Sequence, residues 1–201
     1  MDVVSTTGCW QCGAETAGAL ACPKCGTVQR LGDADLFAVL GLPRRLTVDA
    51  ADLERRYVEA ARAVHPDRHQ TSASAAREAS LAASTAVNRA YRTLRDPVAR
   101  ARYWLELHGT RLAENGAQVP AEIAAEVFET QEKLAELRAG GPVGEELATL
   151  RDALGDRLTT LRRELETRFG DAPPLDELRR RLAEIAYLQT LHGDVDEALG
   201  D

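Results

Sequence analysis

The stretch that decides the fold is Leu53-Glu54-Arg55-Arg56-Tyr57-Val58-Glu59-Ala60-Ala61-Arg62-Ala63-Val64-His65-Pro66-Asp67. Leu53, Tyr57, Ala61 and Val64 recur every three or four residues and make one apolar stripe on a helix. Thr47 or Asp49 supplies its N-cap. Pro66 ends it, because the ring forbids helical continuation and biases the preceding residue away from the α region. A second amphipathic stretch follows from about Ser74 to Leu94. His65-Pro66-Asp67 is therefore the turn between two helices. A turn of this composition does not build a core; it presents side chains. Asp67 offers an acceptor-only carboxylate suited to an arginine on a partner. Arg55, Arg56 and Arg62 lie opposite the stripe and are candidates for docking on an acidic surface. The plainer reading makes His65 a helix C-cap and Asp67 an ordinary turn residue, so the flanks must decide.

Outward from the turn, nearly everything reads as helix. Asp35 to Leu40 is a short one, closed by Gly41 and Pro43. Arg95-Asp96-Pro97 stops the second long helix and restarts a further one from Val98 to about Leu107, with Pro97 in the first turn. Residues 110–119 connect. Three longer segments follow: Pro120 to Ala139 (Ile123, Val127, Leu134, Leu137), Glu145 to Phe169 (Leu147, Leu150, Leu154, Leu158, Leu161, Leu165) and Leu175 to Leu191 (Leu178, Leu182, Ile185, Leu188). Each pairs one apolar stripe with a charged face. The short breaks between them imply antiparallel neighbours and a three-helix bundle. The expected class is all-α, in three parts: residues 1–32, 33–109 and 110–201.

The 201 residues hold only 4% aromatics, and no run of alternating β-branched residues suggests a sheet. Net charge is −7 but uneven: residues 33–107 carry 12 arginines against 10 acids, residues 108–201 carry 11 basic and 20 acidic side chains. The acidic half argues against nucleic acid, whose binders need a basic footprint. No stretch is apolar enough to span a membrane. The first ten residues lack the basic and apolar regions of a signal peptide. Cytoplasmic is the expected location.

Cys9-Trp10-Gln11-Cys12-Gly13 and Cys22-Pro23-Lys24-Cys25-Gly26 form a small internal repeat. Two residues between cysteines let both thiolates reach one ion, and the following glycine suits a positive φ. Cys9, Cys12, Cys22 and Cys25 together match a closed tetrahedral Zn²⁺ site, structural rather than catalytic. An iron–sulfur cluster uses the same ligands. A thioredoxin-like role lacks the βαβ pattern it needs. Thr27 to Gly32 read as a linker.

From Asp33 to Leu107 the motifs fall in an order that resembles the J-domain, the module that stimulates DnaK-class ATPase chaperones. These are Leu36-Phe37-Ala38-Val39-Leu40-Gly41-Leu42, Tyr57, His65-Pro66-Asp67-Arg68, Asn88-Arg89-Ala90-Tyr91 and Leu94-Arg95-Asp96-Pro97. The run from Arg100 to Gly109, with the acidic bundle after it, resembles one branch: the HscB family of iron–sulfur co-chaperones. Some members of that family carry a cysteine-knuckle front and others lack it.

The resemblance implies that His65, Pro66 and Asp67 engage a DnaK/HscA-type chaperone. It implies that the bundle holds an IscU-type scaffold protein on which iron–sulfur clusters are built. The family's scaffold face carries apolar residues and spaced glutamates on the first bundle helix, matched here by Phe128, Glu129, Glu132 and Glu136, with Tyr187 on the last helix. The chain departs from that pattern at Ala124 and Ala125, where the family has bulkier apolar residues. No phosphate loop and no Ser/His/Asp set is present, so no intrinsic catalysis is expected. The competing readings are a general J-domain co-chaperone for protein folding with another client, and a thiol–disulfide oxidoreductase.

Overall fold

The computed structural model describes residues 8–69, 74–110, 121–167, 169–170 and 173–200. Among them are seven α-helices: α1 (Leu36–Val39), α2 (Ala50–Ala63), α3 (Ser74–Arg95), α4 (Pro97–Leu107), α5 (Ala121–Arg138), α6 (Gly144–Thr167) and α7 (Leu175–Leu199). A 3₁₀ turn, Pro66–His69, joins α2 to the segment before α3. Bridging is confined to isolated pairs, Gly8 with Glu15 and Ala21 with Val28. The all-α class expected from the sequence is what the chain adopts. It divides into two compact units, Met1–Ala99 and Arg100–Asp201, with the boundary inside α4.

In the first unit α3 packs against α1, α2 and the 3₁₀ turn. Asp35 caps α1 by accepting from the Ala38 amide, and Asp49 caps α2 by accepting from the Asp52 amide at 2.7 Å. Each side-chain cap satisfies an amide that the helix itself leaves open. Phe37, Leu46, Leu53, Val64, Val87, Ala90 and Leu94 form the buried interior. Tyr57 departs from the stripe expected of it. It is only half-buried, stacked on Tyr91 with ring centroids 4.1 Å apart, while its hydroxyl donates to Asn88 Oδ1 at 3.0 Å. An aromatic with a polar tip settles at the core's edge, where the ring packs and the hydroxyl finds a partner.

In the second unit α6 and α7 pack along their leucine stripes, and α5 lies against both. Leu147, Leu154, Leu165, Leu178, Leu182, Ile185 and Leu188 are sealed from solvent. Fully burying each such side chain contributes about 1.5–3 kcal/mol. Arg157 of α6 pins the other two helices: its guanidinium donates to Glu126 of α5 at 2.5 Å and to Glu184 of α7 at 2.6 Å. Gly140, at φ +86°, ends α5, and a Cβ on the next residue, Gly141, would lie 2.5 Å from Glu136 Cγ. Glycine serves a different need at each position: the left-handed turn at Gly140 and the close approach at Gly141.

α7 runs eight residues beyond the expected end at Leu191, through Gly193 to Leu199. Gly193 costs about 1 kcal/mol against alanine in a helix. Burial outweighs it, because Val195 is fully enclosed with Leu134, Val143 and Leu147. The helix ends instead at Gly200, whose φ of +80° supplies the left-handed cap. Thr27 to Gly32 also differ from the expected linker. Thr27, Val28 and Gln29 are buried; Val28 pairs with Ala21, and its carbonyl accepts the Trp10 indole N–H at 2.9 Å. Those partners are distant in sequence, so the segment's composition did not disclose them. The expected 110–119 connection lies, but for Thr110, outside the described residues.

Candidate functional site

The corner at the end of α2 is built by capping. A helix leaves its last carbonyls without intrahelical partners. Here the Ser80 hydroxyl, from α3, donates to the Val64 carbonyl at 2.8 Å, and Arg68 Nη1 donates to the Arg62 carbonyl at 3.2 Å. Pro66, its φ fixed by the ring, opens the 3₁₀ turn, which closes with Arg68 N–H donating to the His65 carbonyl at 3.1 Å. The backbone on both sides of His65 is thereby held. The sequence reading missed Ser80 and Arg68. A signal for Ser80 was available: it interrupts the stripe of Ala76, Ala83 and Val87, and a buried hydroxyl needs an acceptor.

His65 and Asp67 project from this corner with side chains 56% and 72% exposed. The Asp67 amide donates to His65 Nδ1 at 3.3 Å. In the neutral ring that bond leaves the proton on Nε2, so the corner offers a ring N–H donor beside a carboxylate acceptor. Arg55 and Arg62 are exposed on α2. Arg55 pairs with Asp52 and with Glu59 at 3.2 Å along its own helix. Arg56 is turned inward: Nε donates to Asp52 at 2.8 Å and Nη1 donates to the Gly41 carbonyl. The Arg56 hydrogen bond, and then that of Arg55, holds the Asp52 carboxyl below its ordinary range, against the effect of burial. Arg56 thus ties α2 to the end of α1.

The four cysteines converge. Their sulfurs all lie within 4.8 Å of one another, Cys9 to Cys25 at 3.6 Å and Cys12 to Cys22 at 3.7 Å. A tetrahedral ion with metal–sulfur bonds of about 2.3 Å requires sulfur–sulfur separations of about 3.8 Å. The donor set therefore fits one soft ion. Each knuckle repeats the same closure: Gly13 N–H donates to the Cys9 carbonyl, Gly26 N–H to the Cys22 carbonyl, and both glycines sit at φ +72°. Gln11 N–H and Gln29 Nε2 each donate to Cys9 Sγ at 3.4 Å. Burial pushes the Cys9 thiol up, but hydrogen bonds from the Cys12 and Gln11 amides and the Gln29 and Cys25 side chains bring it down to about 6. The Ala14 amide draws Cys12 down; Cys25, burial and Cys22 outweigh it and raise Cys12 to about 11. The Thr27 hydroxyl, then its amide, lowers Cys25. Hydrogen bonds to sulfur stabilise thiolate, the form a metal takes.

In the second unit, Phe128, Glu129, Glu132 and Glu136 are exposed on α5, with Phe128 at 65%. Glu129, Glu132 and Glu136 share a face by helical spacing. Ala124 and Ala125 are exposed on the same helix, and Tyr187 is half-buried on α7. α5 and α7 run in the same direction, since Arg157 joins Glu126 to Glu184 and, further along both, Gln131 Nε2 donates to Asp194 at 3.2 Å. Phe128 and Tyr187 consequently stand at one level of the bundle.

A helical hairpin held by capped carbonyls around an exposed His-Pro-Asp turn defines a J-domain protein, and the DnaJ domain model matches residues 35–103. The chain belongs to the HscB family of co-chaperones. It is 37% identical over 166 residues to the "Co-chaperone protein HscB homolog" of Chromobacterium violaceum, a match covering 82% of this chain and 93% of that one. The human "Iron-sulfur cluster co-chaperone protein HscB" is 34% identical over 134 residues, covering 64% of this chain and 57% of the human one. The crystal structure of human co-chaperone protein HscB superposes with a TM-score of 0.71 at 27% identity, covering 94% of this chain and 97% of that one. Chaperone HscB from Vibrio cholerae, 20% identical with a TM-score of 0.60, shares the fold. These relatives are named co-chaperones, a non-enzymatic family, and the chain is not an enzyme. Among the described residues no helix is long and apolar enough to cross a membrane.

Proposed function

We propose that this chain brings an iron–sulfur scaffold protein to a DnaK/HscA-type chaperone and triggers that chaperone's ATPase. The observation that carries the reading is the exposed, backbone-locked His65-Pro66-Asp67 corner. Asp67 pairs with an arginine of the ATPase, His65 donates beside it, and Arg55 and Arg62 steer the approach to an acidic surface. Arg56 serves by holding α2 in place. The scaffold sits on Phe128, Glu129, Glu132, Glu136 and Tyr187: an apolar anchor with acids around it. Carrying both partners on one chain makes their encounter intramolecular and raises their effective concentration.

The parts that divide this work are residues 1–32, 33–109 and 110–201. Cys9, Cys12, Cys22 and Cys25 hold a structural Zn²⁺, whose closed coordination leaves no position for catalysis. Free thiols at these positions suit a reducing compartment, the cytoplasm. The test is steady-state ATP hydrolysis by a purified DnaK-class chaperone, with scaffold alone, this chain alone, and both. The proposal expects the pair to stimulate more than the sum of the two alone. A purely additive result would contradict delivery.

A further inference from the structure

α5 carries the face assigned to the scaffold, yet it buries less than its neighbours. Its buried apolar side chains are Ile123 and Leu134, whereas α6 buries Leu147, Leu154, Leu158, Leu161 and Leu165. About three turns separate Ile123 from Leu134, and Phe128, Glu129 and Glu132 all stand in that stretch. Val127 is only half-buried there. Thr130 is buried, but its hydroxyl donates to the Glu126 carbonyl at 2.7 Å, within α5 itself.

Polar ties to the other helices take over. Lys133 reaches Glu146 of α6 at 2.9 Å, and Gln131 reaches Asp194 of α7 at 3.2 Å. Both ties are open to solvent, where such contacts contribute little. The Arg157 clamp is different. It joins all three helices, and Glu184, at its α7 end, is only 12% exposed. The other oxygen of Glu184 accepts from Arg181 at 2.9 Å. Glu184 is thereby fixed on α7, and Arg157 carries that fixed point across to Glu126. Charge-assisted bonds of this kind are about twice as strong as neutral ones.

The clamp also sets the height of the scaffold face. Phe128 lies two residues beyond Glu126, and Tyr187 lies three residues beyond Glu184. These are rises of about 3 and 4.5 Å along two helices that run in the same direction. One guanidinium holding both glutamates therefore brings the two aromatic residues level to within about 1.5 Å. If α5 turned or slid, Phe128 and the glutamates beside it would move while Tyr187 stayed.

We infer that Arg157 is a positioning residue for scaffold binding: by gripping Glu126 and Glu184 together it fixes α5 on α7, so that Phe128 and Tyr187 make one seat. This rests on the scaffold face proposed above. Arg157 itself does not touch the scaffold; it acts through Phe128.

The test measures by calorimetry the affinity of full-length variants for a purified IscU-type scaffold. Glu126→Ala cuts the α5 arm and leaves Arg157 paired with Glu184, so no charge is stranded and circular dichroism should be unchanged. Amide exchange should quicken along α5 and not along α6 or α7. Scaffold affinity should fall about five- to tenfold. In a Phe128→Ala background, where the seat is already lost, Glu126→Ala should cost less than about twofold. Arg157→Lys keeps the charge but lacks the fork that bridges two carboxylates, and it should repeat both results. Wild-type affinity in either variant, or a loss undiminished by Phe128→Ala, overturns the inference while Phe128→Ala alone binds weakly. Wild-type affinity of Phe128→Ala overturns the scaffold face itself, and this inference with it.

Discussion

Nδ1 of His65 and Oδ2 of Asp67 lie 3.6 Å apart across Pro66, and both side chains face solvent. A carboxylate and an imidazole that close usually serve each other in a site. Here neither is buried, and the geometry is imposed by backbone bonds from Ser80 and Arg68 rather than by the pair. On the proposed reading, the pair is presented to a partner outside the molecule.

Ser80→Ala tests how the corner is held. The Val64 carbonyl would lose its donor inside the fold, and an unsatisfied buried acceptor costs about 1–3 kcal/mol. Chemical denaturation should show a loss of that size in the first unit. Amide exchange should quicken at Val64 to Arg68 and stay unchanged across α6 and α7. A variant as stable as wild type would mean that the corner is held by something else.

The glutamate face of α5 gives a binding prediction. Glu129→Ala with Glu132→Ala removes two exposed charges and no buried contact. Scaffold affinity should fall about three- to tenfold, with a weaker salt dependence, as expected for rim charges. Stimulation of the ATPase by the chain alone should not change. Equal affinity in calorimetry would move the scaffold site elsewhere.

The end of α7 gives a stability prediction. Val195 is fully enclosed by Leu134, Val143 and Leu147. Val195→Ala should destabilise the second unit by about 2 kcal/mol, and Gly193→Ala should stabilise it by a few tenths to about 1 kcal/mol. Both are read from denaturant midpoints. Opposite signs at these neighbouring positions would show that packing carries the helix past a poor helix former; no effect at Val195 would contradict the buried contact.

Metal removal should separate the cysteine segment from the helices. One zinc per chain is expected, and chelation should release it with loss of order over residues 8–29, since the ion contributes about 10–16 kcal/mol in modules of this kind. Far-ultraviolet circular dichroism should change little, because none of the helices lies in that segment. Cys12→Ser should abolish stoichiometric zinc. Full zinc retention by that variant would break the four-thiolate assignment.

Much of this was legible in the sequence because it is local. Pro66 ends α2, Asp49 caps it, and glycine after each knuckle takes a positive φ; each follows from a few adjacent residues. The leucine stripes of α6 and α7 were equally plain from spacing. What stayed hidden depends on partners far along the chain. Gly193 looks like a stop until Val195 is seen against Leu134 and Leu147. Thr27 to Gly32 look like a linker until Val28 meets Ala21 and Trp10. Tyr57 looks like core until Tyr91 and Asn88 draw it to the edge. Within the corner, His65 and Asp67 could be named from sequence; Ser80 showed only as a break in the stripe of Ala76, Ala83 and Val87, and the bonds by which Ser80 and Arg68 set the corner's geometry became visible only in the fold.

The most direct measurement is ATP hydrolysis by a purified DnaK-class chaperone in the presence of Asp67→Asn. The substitution removes one exposed charge and keeps the shape of the side chain, so the fold should survive, with unchanged circular dichroism and thermal midpoint. Stimulation should fall to the basal rate at every concentration of the variant. Stimulation equal to that of the wild-type chain, from a folded Asp67→Asn protein, would contradict the account.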